Sequence, residues 1–216
     1  MVLTVFYEPI SAPCRSIFAL LELAKIPYEK KIISFFKGET HSPEYLKINP
    51  LGLVPAIQDD DGFVVSEHEA ILRYIVKTRK EAQDFVPKDV KTQTLVDQYY
   101  PFHHSAVRRH IAHYFFGHNS VIPAESFNRE TAYKDVEETL KRFESVFLQD
   151  KKFICGESLT IADLSAANEF FQLYTATDFD FGKFPRVKAY MDRCLEDPAV
   201  RETTRPIVEF AGKAWN

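Results

Sequence analysis

The turn Glu8-Pro9-Ile10-Ser11-Ala12-Pro13-Cys14-Arg15 lies between an apolar run and a helical pattern. Ligands of open α/β sheets bind outside the carboxyl ends of strands, and helix amino termini attract anions. A hydroxyl at Ser11 can therefore donate to a thiolate or a carboxylate; the competing use of the same side chain is to cap the helix. Tyr7 offers a second hydroxyl at the strand end, or packs as a half-buried aromatic. Cys14 falls in the first helical turn, where the dipole lowers a thiol pKa, yet it has no resolving cysteine nearby and packing is its alternative role. The second concentration is Asn49-Pro50-Leu51-Gly52-Leu53-Val54-Pro55-Ala56. A cis Val54–Pro55 bond would turn the Val54 backbone outward to pair with an extended peptide; a loop proline is the alternative. Ser66-Glu67-His68-Glu69 precedes a further helical pattern and fits an S-x-x-E capping box, with a helix amino terminus that could hold a carboxylate. Five of the seven histidines lie between positions 103 and 118. His103, His110 and His113 could share a helix face, but Arg108 and Arg109 intervene and no acidic partner joins them, so no metal site is expected. Thr160-Ile161-Ala162-Asp163 is a second capping box, read as structural.

The elements that must position these residues fall into two sets. Val2 to Tyr7 reads as a buried strand, and Pro13 to Lys25 as an amphipathic helix. Tyr28 to Phe35 reads as a second strand. Val54 to Ile57 and Phe63 to Val65 flank the acidic turn Asp59-Asp60-Asp61-Gly62 as a hairpin, and Glu69 to Lys80 closes the unit as a helix. This is a small mixed sheet, the thioredoxin-like arrangement. Periodicity fails between Thr78 and Asp89, which places the domain boundary there. Beyond it Lys91 to Gly117, Glu125 to Leu148, Thr160 to Thr175 and Phe184 to Glu196 read as helices. The expected architecture is an α/β thioredoxin-like domain over residues 1–80 followed by an all-α bundle over residues 88–216.

Composition bounds the rest. The chain has 216 residues, 45% hydrophobic and 27% charged, which excludes disorder. No apolar run approaches the ~18 residues of a membrane helix. Three scattered cysteines fit neither a disulfide framework nor a zinc site, and Glu8 and Pro9 interrupt what would be a secretory signal, so a cytoplasmic protein is expected. A net charge of −4 gives no reason to expect nucleic acid or an anionic membrane as partner. Residues 1–80 hold 10 basic and 10 acidic side chains, so the deficit lies wholly in the second half.

Six segments in order resemble the cytosolic glutathione transferases, most closely the theta class. They are Ser11-Ala12-Pro13-Cys14-Arg15, Lys37-Gly38, Asn49-Pro50-Leu51-Gly52 with Val54-Pro55, Glu67 followed by Ala70-Ile71-Leu72-Arg73-Tyr74, His103-His104-Ser105 with Arg108-Arg109, and Leu159-Thr160-Ile161-Ala162-Asp163-Leu164. The resemblance spans about residues 3–200 and implies the glutathione transferase fold. It makes Ser11 the donor to the glutathione sulfur, with Tyr7 second, because other classes place a thiolate-stabilising Tyr at that strand end. Val54 with cis-Pro55 would pair with the cysteinyl backbone, and Glu67 would bind the γ-glutamyl amine. Phe102, Arg108 and Phe115 would line the electrophile pocket.

Three departures from the family pattern bear on glutathione affinity. Contact with the glycyl carboxylate passes to His41, because Thr40-His41 replaces the usual His-Lys. Leu53 lacks the ionic contact of the polar or basic residue common at its place. His68 stands where a Ser usually takes the γ-glutamyl carboxylate. The implied reaction is attack of the glutathione thiolate on hydrophobic electrophiles, in a detoxifying role, with hydroperoxide reduction as a side activity. Glutathione is then a co-substrate, no metal is needed, and a homodimer is expected, with exposed-looking aromatics such as Tyr99, Tyr100 and Phe102. The competing reading is a non-catalytic transferase-like scaffold of the elongation-factor gamma type; thiol transfer through Cys14 is a third.

Overall fold

The computed structural model describes residues 2–212 and divides into two compact units, Met1–Asp84 and Phe85–Asn216. In the first, β1 (Leu3–Tyr7) is followed by α1 (Ala12–Leu23) and β2 (Tyr28–Ile32). A short helix α2 (Pro43–Leu46) precedes β3 (Ala56–Gln58), β4 (Val64–Ser66) and α3 (His68–Thr78). The sheet order is β2-β1-β3-β4, with β1 and β2 parallel and the other pairs antiparallel. This is the thioredoxin-like arrangement.

Alternation along β1 decides what each face holds. Leu3 and Val5 are buried on one side, and Tyr7 on that side meets Phe18 of α1 edge-on at 4.7 Å. Phe6, on the other side, packs with Tyr45 and Ala56, against which Ile33, Ile48 and Val54 are set. The edge strand β2 carries exposed Lys30 and Lys31, which suits an edge that must not pair further. It stops at Ile32, three residues short of the expected end.

The second unit is helical: α4 (Val90–Phe102), α5 (Arg108–His118), α6 (Arg129–Arg142), α7 (Ile161–Ala176), α8 (Pro185–Leu195), α9 (Pro198–Glu202) and α10 (Arg205–Phe210). The single helix expected over 91–117 is interrupted, because Pro101 lies inside α4 and a wide π-type turn, His103–Val107, follows it. Proline removes a helix donor and crowds the preceding turn, and a π-bulge is one way to absorb that. The helix expected from Glu125 starts only at Arg129, where Asn128 accepts a capping bond from Thr131 N–H.

Helix α7 is the centre of this unit: every residue from Ile161 to Leu173 is buried. Most of its polar members find partners, although Gln172 Oε1 is buried without one among the described residues. Asp163 accepts from the N–H groups of Ile154 and Thr160 at 2.8 and 2.9 Å, completing the expected capping box. Asn168 accepts from the Thr203 hydroxyl, and Glu169 accepts from Gln172 and Arg108. Tyr99 and Tyr100, expected at the surface, are instead buried in this core. Among the described residues no helix is long and apolar enough to cross a membrane.

Candidate active site

Sheet register gathers the candidate residues of the first unit. Phe6 pairs with Ala56 and Ala56 with Ser66, while Tyr7 pairs with Ile32. The Ser11 turn, the 33–41 loop, the Val54–Pro55 segment and the Glu67-His68 corner therefore all leave the sheet at one end. That is the end at which open α/β sheets bind ligands.

Ser11 is the residue before α1, with extended backbone, and its side chain makes no capping hydrogen bond. The hydroxyl is thus left for another partner, at 7% exposure, beside a helix amino terminus whose first N–H groups the helix does not use. The turn is braced from inside. Arg15 is buried and donates through Nη1 to the Ile10 carbonyl, and the Ser11 N–H donates to the Glu8 carbonyl at 3.0 Å. Glu8 is also buried, and its carboxylate accepts from the Ser34 hydroxyl and from the N–H groups of Phe35 and Ile10. Burial pushes the Glu8 carboxyl up, although those hydrogen bonds act the other way. One side chain so ties the Ser11 turn to the 33–41 loop. Burial likewise pushes the Tyr7 phenol up, aided by Cys14 and Glu8, so Tyr7 keeps its proton, and its ring packs on Phe18. Cys14 is fully buried within α1 and forms no disulfide.

The Val54–Pro55 bond is cis. Neither backbone group of Val54 has a hydrogen-bond partner among the described residues. The preceding Leu53 carbonyl accepts from the Tyr45 hydroxyl at 2.6 Å and from Asn49 Nδ2 at 2.7 Å, which pins the loop. Burial pushes Tyr45 up to about 12, keeping it a donor at any ordinary pH. The Leu53 side chain itself points to solvent, 57% exposed. Gly52 has φ +65, and a Cβ there would stand 3.2 Å from His41 Nε2. Only glycine fits both the conformation and the contact. His41 is thereby held beside the 49–54 loop, with Nδ1 2.9 Å from the Thr40 hydroxyl.

The expected Ser66–Glu69 capping box is absent. Ser66 belongs to β4, paired with Ala56, and the residue before α3 is Glu67, with φ 68 and ψ 115 and no side-chain cap. A non-glycine residue held there costs about 1–3 kcal/mol, and such strain clusters at ligand sites. Glu67 is exposed and His68 is buried at the first position of α3.

Of the residues expected from the helical unit, Phe102 is half-buried and stacked on Phe147 at 4.8 Å. Phe115 is 0% exposed, packed on Phe116 and Phe210, so its ring offers no surface to a ligand. Arg108 is half-buried and donates to Glu169 Oε1 at 3.0 Å, so its charge is already matched. The three histidines separate after the π-turn. His103 meets the Tyr99 hydroxyl, His110 meets the Thr139 hydroxyl, and His113 lies edge-on to Phe127. Among the described residues no group of His, Cys, Asp or Glu is arranged to hold a metal ion.

Sequence reasoning missed the bracing residues Glu8, Arg15 and Tyr45. Only Arg15 carried a signal, as part of the Ser-x-Pro-Cys-Arg run. Glu8 looked like a strand end, and Tyr45 sits in a helix too short to show a period.

Residues 10–78 match the family description "Glutathione S-transferase, N-terminal domain", and residues 104–198 match "Glutathione S-transferase, C-terminal domain". The chain is 31% identical over 202 residues to glutathione S-transferase theta-1 of Mus musculus, covering 89% of this chain and 82% of that protein. Among solved structures, it is similar to human glutathione S-transferase T1-1 in its apo form, with a TM-score of 0.89 at 25% identity over 97% of this chain and 91% of that one. Human glutathione transferase theta-2, solved in complex with glutathione and an unknown ligand, aligns with a TM-score of 0.86 at 25% identity, covering 97% and 89%.

Proposed function

The chain belongs to the glutathione S-transferase family, and from that premise we propose that Ser11 holds glutathione as its thiolate for attack on electrophilic carbon. The protein is a glutathione transferase, and theta-class enzymes stand among its relatives. The observation that carries the Ser11 assignment is a hydroxyl before α1 that no capping bond consumes.

An unperturbed thiol of pKa ~8.5 is only a few per cent ionised at pH 7. A hydroxyl donating to sulfur beside a helix amino terminus favours the ionised form. The thiol proton leaves to solvent, the sulfur lone pair forms the new S–C bond, and the leaving group carries off the electrons of the bond it breaks. Attack on a peroxide oxygen would use the same thiolate.

In this reading the Val54 N–H and C=O pair with the cysteinyl backbone, and Glu67 takes the γ-glutamyl amine. His41 and His68 are the donors nearest the two carboxylates, and Leu53 supplies apolar contact only. On the helical unit, Phe102 and the aliphatic stem of Arg108 offer surface to a hydrophobic electrophile. The protein acts as a cytoplasmic homodimer in detoxification. A scaffold without catalysis has less support, because the relatives are transferases by name.

Ser11→Ala should lower kcat by about 10²–10³-fold while glutathione binding, measured by calorimetry, changes little. The ultraviolet absorbance of bound thiolate should then titrate at higher pH. Full turnover in that variant would remove Ser11 from the mechanism.

A further inference from the structure

The carboxyl end of α6 runs into a π-type turn, Phe143–Leu148, and then reverses at Gln149, whose φ is 52. Between this reversal and α8 lies a cavity of about 290 Å³ lined by Gln149, Asp150, Lys151, Lys152, Arg186 and Arg193 among others. We propose that it binds a phosphate dianion, either the free ion or the terminal group of a phosphomonoester.

The argument is one of charge and of unspent donors. Three of the four cations find their acceptors on backbone carbonyls. Arg186 Nη1 donates to Gln149 O at 3.2 Å, Arg193 Nη2 to Lys152 O at 3.1 Å, and Lys151 Nζ to Ile154 O at 2.8 Å. Neutral backbone carbonyls such as these orient the cations but carry only partial charge. Carboxylates are fewer. Asp150 stands 3.6 Å from Arg186 and is fully solvated, and Glu157 meets Lys152 at 2.7 Å, both largely exposed. Glu144 caps α8, accepting from the N–H groups of Arg186 and Val187 at 3.1 Å. Four cations against Asp150, Glu157 and Glu144 leave one positive charge unmatched in a concave site whose lining includes Asp150 as its acidic member. Arg193 Nε is buried and has no acceptor. An anion is the acceptor this set lacks, and guanidinium forks favour tetrahedral oxyanions.

All of these residues belong to the helical unit, so the site is independent of the glutathione reading. The test is titration of the full chain with inorganic phosphate at pH 8 and constant ionic strength, following the Arg193 Nε resonance by NMR. Saturable displacement of that resonance is expected, absent with chloride. Arg193→Gln and Arg186→Gln should each weaken binding at least about tenfold by calorimetry, with glutathione conjugation unchanged. Should Arg193→Gln fail to fold, the exposed Arg186→Gln carries the same comparison. Lowering the pH to 5.5 should weaken phosphate, which becomes a monoanion, and leave sulfate unchanged. Adenosine monophosphate binding more tightly than phosphate would identify an ester as the ligand, and equal binding the free ion. No saturable shift, or affinity unchanged in both variants, overturns the proposal.

Discussion

Ser11 and Tyr7 both present hydroxyls near the end of β1, and their surroundings separate them. Ser11 stands at the N-cap position of α1 and makes no capping bond with its side chain, whereas Tyr7 is engaged edge-on with Phe18 and pushed up by burial. Tyr7→Phe should accordingly retain kcat/KM within about threefold, and steady-state conjugation assays decide it; a loss as large as that expected of Ser11→Ala would make Tyr7 the donor. Leu53 tests the other half of the site, glutathione affinity. Its side chain is mostly solvated while its carbonyl is held by Tyr45 and Asn49, so a new side chain can be fitted without disturbing the loop. Leu53→Lys should leave stability unchanged and tighten glutathione by about twofold to fivefold, the yield of one exposed ion pair. Calorimetric Kd values for the two proteins are the measure. Unchanged affinity would mean that no carboxylate of the ligand comes within reach of position 53.

The loop between α6 and α7 depends on one buried carboxylate. Asp163 accepts from Ile154 N–H, Thr160 N–H and the Thr160 hydroxyl at 2.8, 2.9 and 2.8 Å, with Tyr190 adding a longer contact at 3.3 Å. Asp163→Asn replaces an acceptor with a donor facing donors, a cost of about 2–4 kcal/mol, or a Tm lower by about 5–15 °C. Burial pushes Asp163 up to about 6 from its ordinary 3.8. The folded state then binds that proton more tightly than the unfolded one, so its contribution to stability grows as pH falls through about 6. His110 acts oppositely in this range: burial lowers its pKa, so acid works against the fold there. The Tm difference between wild type and Asp163→Asn cancels His110 and should widen from pH 7.5 to pH 5.5. A gap that narrows would contradict the placement of Asp163. The capping box was legible because Thr160 and Asp163 have local spacing, and the long apolar helices were legible by period. Pro101 was visible, but the π-turn after it is set by how α4 and α5 pack, which no local pattern shows. The Ser66–Glu69 pattern misled because strand pairing with Ala56 claims Ser66 and shifts the helix start to His68. Tyr99 and Tyr100 were misjudged because their burial depends on α7 and on Phe143 and Phe147, remote in sequence.

Charge is unevenly divided along the chain, and this has a kinetic consequence for the whole molecule. The first 80 residues balance 10 basic against 10 acidic side chains, while the remainder holds 17 against 21. Glutathione is an anion, so an acidic protein can attract it only through local contacts. Those assigned here are short-range: the Ser11 hydroxyl, the Val54 backbone, His41, His68 and Glu67. Hydrogen bonds and short-range contacts of that kind are weakened far less by salt than steering by a net field, which fades beyond ~8–10 Å at physiological salt. KM for glutathione should therefore change by less than about twofold between 50 and 500 mM sodium chloride, since no long-range attraction is there to lose. Phosphate at the basic cavity between Gln149 and Arg193 should behave in the opposite manner and weaken steeply over the same range, because its recognition is built from charge. Measuring both on one preparation separates the sites without any mutation. A glutathione KM that rose with salt as steeply as phosphate binding weakens would require a cationic contact at the Ser11 end of the sheet beyond the residues assigned to it.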